Sequence, residues 1–192
     1  MDADWSVELG ADDPALQFPW KSPDSTVGYV DLSQNMRGLE RIPEAMLHHP
    51  LLSFLTGING GMSGSPWLSV KCDAWMDQEV NEYVAPYPMH WRMASYVDVI
   101  RRDVSERFSF EQHQKWVKAG VKRLHRFPDG SYYCELIVRR CYYHLDDNPQ
   151  DSKAGFYITV YVFGYGDIEF NAQSSWKGGL DRVAHTLLSV MA

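Results

Sequence analysis

The chain of 192 residues has little cysteine and no long apolar run. Its three cysteines are too few, and odd in number, for a disulfide framework, so a reducing compartment is expected. No apolar stretch is long enough to cross a bilayer, and a charged leader followed by an apolar segment is missing. The sequence therefore predicts a cytoplasmic protein without a membrane partner.

The chain also lacks the surplus of basic charge that nucleic-acid binding needs. It carries 18 Lys and Arg against 25 Asp and Glu, which gives a net charge of −7. Because phosphates are neutralised by a basic patch, and the Lys/Arg runs here are short, no nucleic-acid partner is expected. An acidic surface of this kind suits solubility or a basic protein partner.

Recognisable catalytic motifs are missing as well. The glycine-rich segment 57–64 lacks the Lys-Ser/Thr ending of a phosphate loop, and Ser65 occupies the final glycine position of a nucleophile elbow around Ser63. The histidines show no ligand spacing, and Cys72 falls in a buried phase. We therefore predict no catalytic residue, no metal site and no cofactor, and a protein that is more plausible as a binder than as an enzyme.

Aromatic residues are abundant by contrast. They make up 14% of the chain, with seven Trp and eleven Tyr, within a hydrophobic content of 45%. This length and composition suit a single domain, residues 1–192, with one sizeable core. So many rings have to lie either in that core or on a binding surface.

A faint internal echo predicts the fold. The order of residues from Cys72 to Leu124 recurs from Cys134 to Val183, and each copy has the pattern of two strands and a helix. The predicted class is α+β, with an antiparallel sheet of at least four strands built from two β-β-α quasi-repeats, helices on one face and an irregular N-terminal third. The predicted parts are an N-terminal arm with helices (1–66) and two β-β-α units (67–126 and 127–192).

Local signals place the elements within these parts. Proline-rich turns predict an arm up to residue 36 with one short strand at 28–32, and Pro43 suits the first turn of a helix. Ser109 and Gln112 form a capping box that opens a helix to about residue 125. The last helix is expected to begin after Ser174 and Ser175.

Alternation along the strands assigns two faces to the sheet. One face is aliphatic and suits packing under the helices, with Leu68, Val70, Cys72, Val97, Val99, Cys134, Leu136, Val138, Ile158, Val160 and Val162. The opposite face combines rings with charges, as a binding surface does. Its candidate binding residues are Trp67, Lys71, Asp73, Trp75, Arg92, Tyr96, Asp98, Tyr133, Glu135, Arg139, Tyr157 and Tyr161, and Phe163 and Tyr165 share the phase.

Two functions remain open at this point. The first is a non-catalytic, chaperone-like or immunity-like module that binds another protein through this face. The acidic net charge favours a basic partner, and a homodimer is a further alternative. The alternative is a small-molecule-binding or hydrolytic enzyme with a pocket between the sheet and the N-terminal segment. That pocket would use Asp73, Asp98 or Glu135 with Lys71 or Arg139. If residues 1–66 covered this face, neither of the two functions would have a surface to act through.

Overall fold

The computed structural model describes residues 1–13, 15–19, 30, 32, 35–60, 65–78, 90–144 and 152–190. Most of the strand predicted at 28–32 therefore lies outside the described residues. The α+β class is confirmed. The strands are β1 (Asp2–Glu8), β2 (Leu16–Phe18), β3 (Trp67–Gln78), β4 (Trp91–Arg101), β5 (Tyr132–His144) and β6 (Ser152–Gly166). The helices are α1 (Pro43–Leu47), α2 (His49–Asn59), α3 (Phe110–Leu124) and α4 (Glu169–Val190), with 3-10 helices at Met36–Arg41 and Val104–Phe108.

The six strands form one mixed sheet, so the prediction of an antiparallel sheet is wrong. The order is β1-β5-β6-β4-β3, and β2 also pairs with β5. The pairs β3-β4, β4-β6 and β6-β5 are antiparallel, whereas β1 and β2 run parallel to β5. The N-terminal segment thus adds two strands to the sheet where an irregular arm was expected. Its backbone N–H and C=O groups pair with those at the edge of β5.

The sequence of β1 has the pattern of a strand, but the turn-rich region that follows it led to the prediction of an irregular arm. Its apolar residues Ala3, Trp5 and Val7 alternate with polar ones, as in a half-buried strand. A parallel partner far along the chain leaves no turn motif in the sequence, because such a pair has no hairpin connection.

The main core lies between the sheet and the helices. Helix α4 contacts β4, β5 and β6, α3 contacts β1, β5 and β6, and α2 contacts β3 and α4. The predicted cap of α3 is confirmed, since the Ser109 Oγ accepts a hydrogen bond from the Gln112 backbone N–H at 3.3 Å. The helix α4 begins at Glu169, earlier than predicted, and buries Ala172, Trp176, Leu180 and Leu187 along one stripe.

The order β3-β4-α3 followed by β5-β6-α4 is what two β-β-α units would give, but the duplication itself stays a prediction. The echo matched Tyr96 with Tyr157. In the sheet, Tyr96 pairs with Tyr161 and Tyr157 pairs with Arg139. Of the matches that the echo makes along these two strands, only Asp98 with Thr159 is also a pair in the ladder.

Two glycines let α4 lie directly on β6. A Cβ atom on Gly164 would overlap the backbone nitrogen of Trp176, and one on Gly166 would overlap the backbone nitrogen of Ala172. Nearby, the Trp176 Nε1 donates a hydrogen bond to the buried Ser95 Oγ at 2.9 Å, which ties the helix to β4. Backbone packing at these glycines sets the distance between helix and sheet.

We predict that Gly164→Ala lowers the free energy of unfolding by at least about 3 kcal/mol, because backbone atoms of α4 cannot move aside as a flexible side chain can. The matched control is Gly57→Ala in α2, where nothing lies within 4 Å of the added Cβ. That change should stabilise by about 0.5 to 1 kcal/mol, since alanine is the better helix former. Urea denaturation of both variants measures the difference, and similar small effects would contradict the packing.

Candidate functional site

The side of the sheet away from the helices is called here the outer face. Residues paired across neighbouring strands share one side of a sheet. The ladder pairs Lys71 with Asp98, Asp73 with Tyr96, Trp75 with Ala94, and Glu135 with Tyr161. Through these and the adjoining pairs it brings eleven of the candidate residues to the outer face: Lys71, Asp73, Trp75, Arg92, Tyr96, Asp98, Tyr133, Glu135, Arg139, Tyr157 and Tyr161.

Trp67 does not join them, because it lies on the helix side. It is fully buried, its Nε1 donates a hydrogen bond to the Leu187 carbonyl at 3.2 Å, and the Arg101 guanidinium lies 4.7 Å from its ring centre. The cause is an irregularity in β3, where the register shifts between Ser69 and Lys71. One extra residue reverses the alternation, so the uninterrupted period of two placed Trp67 on the wrong face.

The same irregularity moves Leu68 and Val70, which were expected under the helices. Both belong instead to a second apolar cluster that also contains Ile100 and Tyr157. Tyr157 is only 3% exposed, so this candidate residue is covered. Around it lie Leu16, Phe18, Phe108, Cys141 and Tyr143. One end of the outer face is thus a packed second core, built partly by β2 and the second 3-10 helix.

The other end carries a continuous row of aromatic rings, called here the ring row. The ring centres of Trp75 and Tyr96 are 6.5 Å apart, and those of Tyr96 and Tyr161 are 5.8 Å apart. Tyr161 stacks on Phe163, and Phe163 on Tyr133, each at 5.9 Å. All five side chains are half-buried. The row crosses β3, β4, β6 and β5, and the exposed parts of its rings lie on strands that are hydrogen-bonded to one another.

Basic groups lie beside three of these rings. The Lys71 Nζ is 5.5 Å from the centre of the Tyr96 ring, the Arg92 Cζ is 5.7 Å from Phe163, and the Arg139 Cζ is 5.8 Å from Tyr161. These distances allow cation–π attraction.

Carboxylates hold both guanidinium groups in place. The Asp77 Oδ2 accepts hydrogen bonds from Arg92 Nε at 3.0 Å and from Trp75 Nε1 at 3.0 Å. The Glu8 Oε2 accepts one from Arg139 Nε at 2.7 Å. The sequence prediction missed both carboxylates, although Asp77 continues the alternation of Asp73 and Trp75.

Asp98 lies at the base of the outer face and is 4% exposed. Its Oδ1 accepts a hydrogen bond of 2.6 Å from the Thr159 hydroxyl, and that hydroxyl accepts one of 3.0 Å from Arg139 Nη1. Burial raises the pKa of Asp98 to about 6, against the opposing effects of the Thr159 hydrogen bond, Lys71 and Arg139. This carboxyl is therefore almost completely shielded from solvent.

The acidic residues of β1 extend the outer face beyond β5. Asp2 pairs with Tyr133, and Asp4 pairs with Glu135. The Ser6 hydroxyl donates a hydrogen bond of 3.2 Å to Glu135 Oε1. A cavity of about 70 Å³ lies where β1 and β5 begin. It is lined by Asp2, Tyr133, Tyr165 and residues 129–132. The strict alternation in Asp2–Glu8 was the signal that could have revealed these carboxylates.

The chain matches no protein-family model, no curated protein and no solved structure. In the part of the chain that the structure describes, no helix is long and apolar enough to span a membrane. Within the same residues, no group of three His, Cys, Asp or Glu side chains is placed to hold a metal ion.

Because its folded pKa of about 6 lies above the ordinary value of 3.8, Asp98 binds a proton more readily in the folded chain. Its contribution to stability should therefore fall as the pH rises from about 4 to about 6 and beyond. Between pH 5 and pH 7 the loss amounts to about 1 kcal/mol.

We predict that Asp98→Asn removes this pH dependence, because the amide oxygen still accepts from Thr159 but does not titrate. Urea denaturation at pH 5 and pH 7 compares the variant with the wild type. Asp73→Asn, at an exposed position of β3, controls for the loss of one charge. An unchanged pH dependence in Asp98→Asn would contradict the buried site.

Proposed function

We propose that this protein is a non-catalytic module that binds another protein through the ring row and its flanking charges. The observation that supports this most directly is the continuous row of five half-buried rings. Aromatic rings dominate protein interfaces because they bury a large area at a small cost in side-chain entropy. Rings already stacked on neighbouring strands lose even less freedom when a partner covers them.

The fixed charges add orientation to that apolar area. Arg92 and Arg139 are held by Asp77 and Glu8, respectively, so their guanidinium groups do not have to be ordered during binding. Pre-positioned polar groups around an apolar centre are typical of a binding surface that discriminates between partners.

The enzyme alternative has less support from the geometry. Asp98 is buried and already bonded to Thr159. The other two candidate acids, Asp73 and Glu135, lie on β3 and β5 with two strands between them. Three strand spacings separate them by about 14 Å. The two carboxylates of a glycosidase, by comparison, lie within about 10 Å of each other.

A cytoplasmic location and a chaperone-like or immunity-like role remain part of this proposal. All three cysteines are free thiols, which suits a reducing compartment. The face is acidic, so two copies meeting face to face would repel each other, and a different protein is the better partner. An ancestral duplication of a β-β-α unit would account for the element order of the scaffold.

The test is affinity capture from the native cell with the full chain and with Trp75→Ala/Tyr161→Ala. We expect the double variant to lose at least one specific partner by about tenfold or more, the effect of losing about 1.4 kcal/mol of binding free energy. Quantitative mass spectrometry of the captured proteins measures this.

Phe170→Ala is the matched control, because this ring is 70% exposed but lies on α4. Circular dichroism establishes that each variant is folded, and Trp75→Glu on the end strand β3 serves as a second variant if the double one is unstable. Retention of every partner by a folded ring variant would overturn the proposal.

A further inference from the structure

Five residues lie side by side in a line that crosses the sheet at right angles to the strands. The pairings place Asp73 of β3 beside Tyr96, Tyr96 beside Tyr161, Tyr161 beside Glu135, and Glu135 beside Asp4 of β1. We call this set the transverse line. It has carboxylates at both ends and two half-buried tyrosine rings between them.

The terminal carboxylates are not neutralised by the described residues. Asp4 and Asp73 are exposed, Glu135 is half-buried, and none of the three forms an ion pair within the described part of the chain. Their hydrogen bonds come from neutral donors: the backbone N–H groups of Trp5 and Ala74, and the Ser6 hydroxyl. As far as the described residues go, these carboxylates have no salt-bridge partner, and their charge can attract a cation from outside.

The surroundings of the line carry more negative than positive charge. The guanidinium groups of Arg92 and Arg139 are already paired with Asp77 and Glu8. Among the described residues at the end of the sheet that carries the ring row, three side chains are basic (Lys71, Arg92 and Arg139). Seven are carboxylates: Asp2, Asp4, Glu8, Asp73, Asp77, Asp98 and Glu135.

Burial and the nearby carboxylates raise the pKa values of two tyrosines on the outer face. Burial first, and then the carboxylates of Glu135, Asp4 and Asp2, hold the pKa of Tyr133 above its ordinary value. Burial, followed by Asp98 and Asp73, does the same for Tyr96. The cavity lined by Asp2 and Tyr133 lies at the β1 end of the line and has room for the tip of a long side chain.

We propose that the transverse line binds an extended basic segment of a partner protein, with one Lys or Arg at Asp73 and another at Glu135 and Asp4. This assignment rests on the proposed function and names its partner class. The aliphatic stems of the basic side chains would lie along the rings, and their charged heads would reach the carboxylates.

The spacing of the two cations follows from the sheet. Asp73 and Glu135 are three strand spacings apart, about 14 Å, and Asp4 is about 19 Å from Asp73. An extended chain advances by about 3.3 Å per residue. The basic residues of the partner should therefore be about four to six positions apart, and the segment should run across the strands instead of adding to them.

The first experiment titrates the full chain with a Gly/Ser peptide that carries two arginines about five residues apart, and isothermal titration calorimetry measures the binding. The comparison probes are the same peptide with glutamates, one with all arginines contiguous, and a single-stranded oligouridylate. We expect each comparison probe to bind at least about tenfold more weakly than the spaced arginine peptide. Equal binding of the contiguous peptide would overturn the spacing, and preferential binding of the oligouridylate would overturn the assignment to a protein segment.

The second experiment locates the site with Asp4→Asn/Asp73→Asn/Glu135→Gln. These amides keep the hydrogen-bond acceptors but remove the charges. The control Glu40→Gln/Glu111→Gln/Glu169→Gln removes the same charge from exposed positions on the helix layer. We expect peptide affinity to fall about tenfold in the first variant and to change little in the control. Equal losses in both would show general attraction to an acidic protein and overturn the site.

The two proposals can fail separately. If partners captured from the cell depend on Trp75 and Tyr161 but not on the three carboxylates, the binding function stands and the basic-segment assignment is wrong. If the folded ring variant keeps every partner, the binding function itself is wrong.

Discussion

The contact between α4 and β6 is the constraint on which the other features depend. Gly164 and Gly166 let the helix backbone lie against the strand, and the stripe from Ala172 to Leu187 then covers the middle of the sheet. At one end of this stripe the Leu187 carbonyl accepts a hydrogen bond from the Trp67 indole N–H. Nearer the other end the Trp176 indole N–H donates one to the Ser95 hydroxyl. Because α2, α3 and α4 together cover this side of the sheet, the charged side chains of the strands lie on the opposite side, where they remain hydrated or paired.

The outer face is divided between stability and exposure. At one end, Tyr143 and Tyr157 are buried with Leu16 and Phe108 and form a small core of their own. At the other end, the rings from Trp75 to Tyr133 are only half-buried, and ion pairs hold the cations beside them. The packed end and the ladder hold β4, β5 and β6 together, so the strands that carry the ring row are anchored while the row itself is only half-buried.

Most of the two-face assignment could be predicted from the sequence, because β4, β5 and β6 keep a strict period of two along their paired lengths. The error at Trp67 arose from a register shift that no local residue pattern marks. The parallel pairing of β1 with β5 could not be predicted, since it joins segments more than a hundred residues apart that share no turn. The ion pairs of Arg92 and Arg139 depend on these pairings, so they were beyond sequence reasoning as well.

The irregularity in β3 also affects how the sheet meets other molecules. Among the described strands, β3 lies at the end of the sheet, where free backbone groups invite a further strand from another copy. A register shift after Ser69 interrupts the regular ladder, and Lys71, Asp73 and Asp77 place charges along the same strand. Both features oppose edge-to-edge aggregation. The register shift that places Trp67 in the core thus also makes β3 a poor template for extended sheets at high protein concentration.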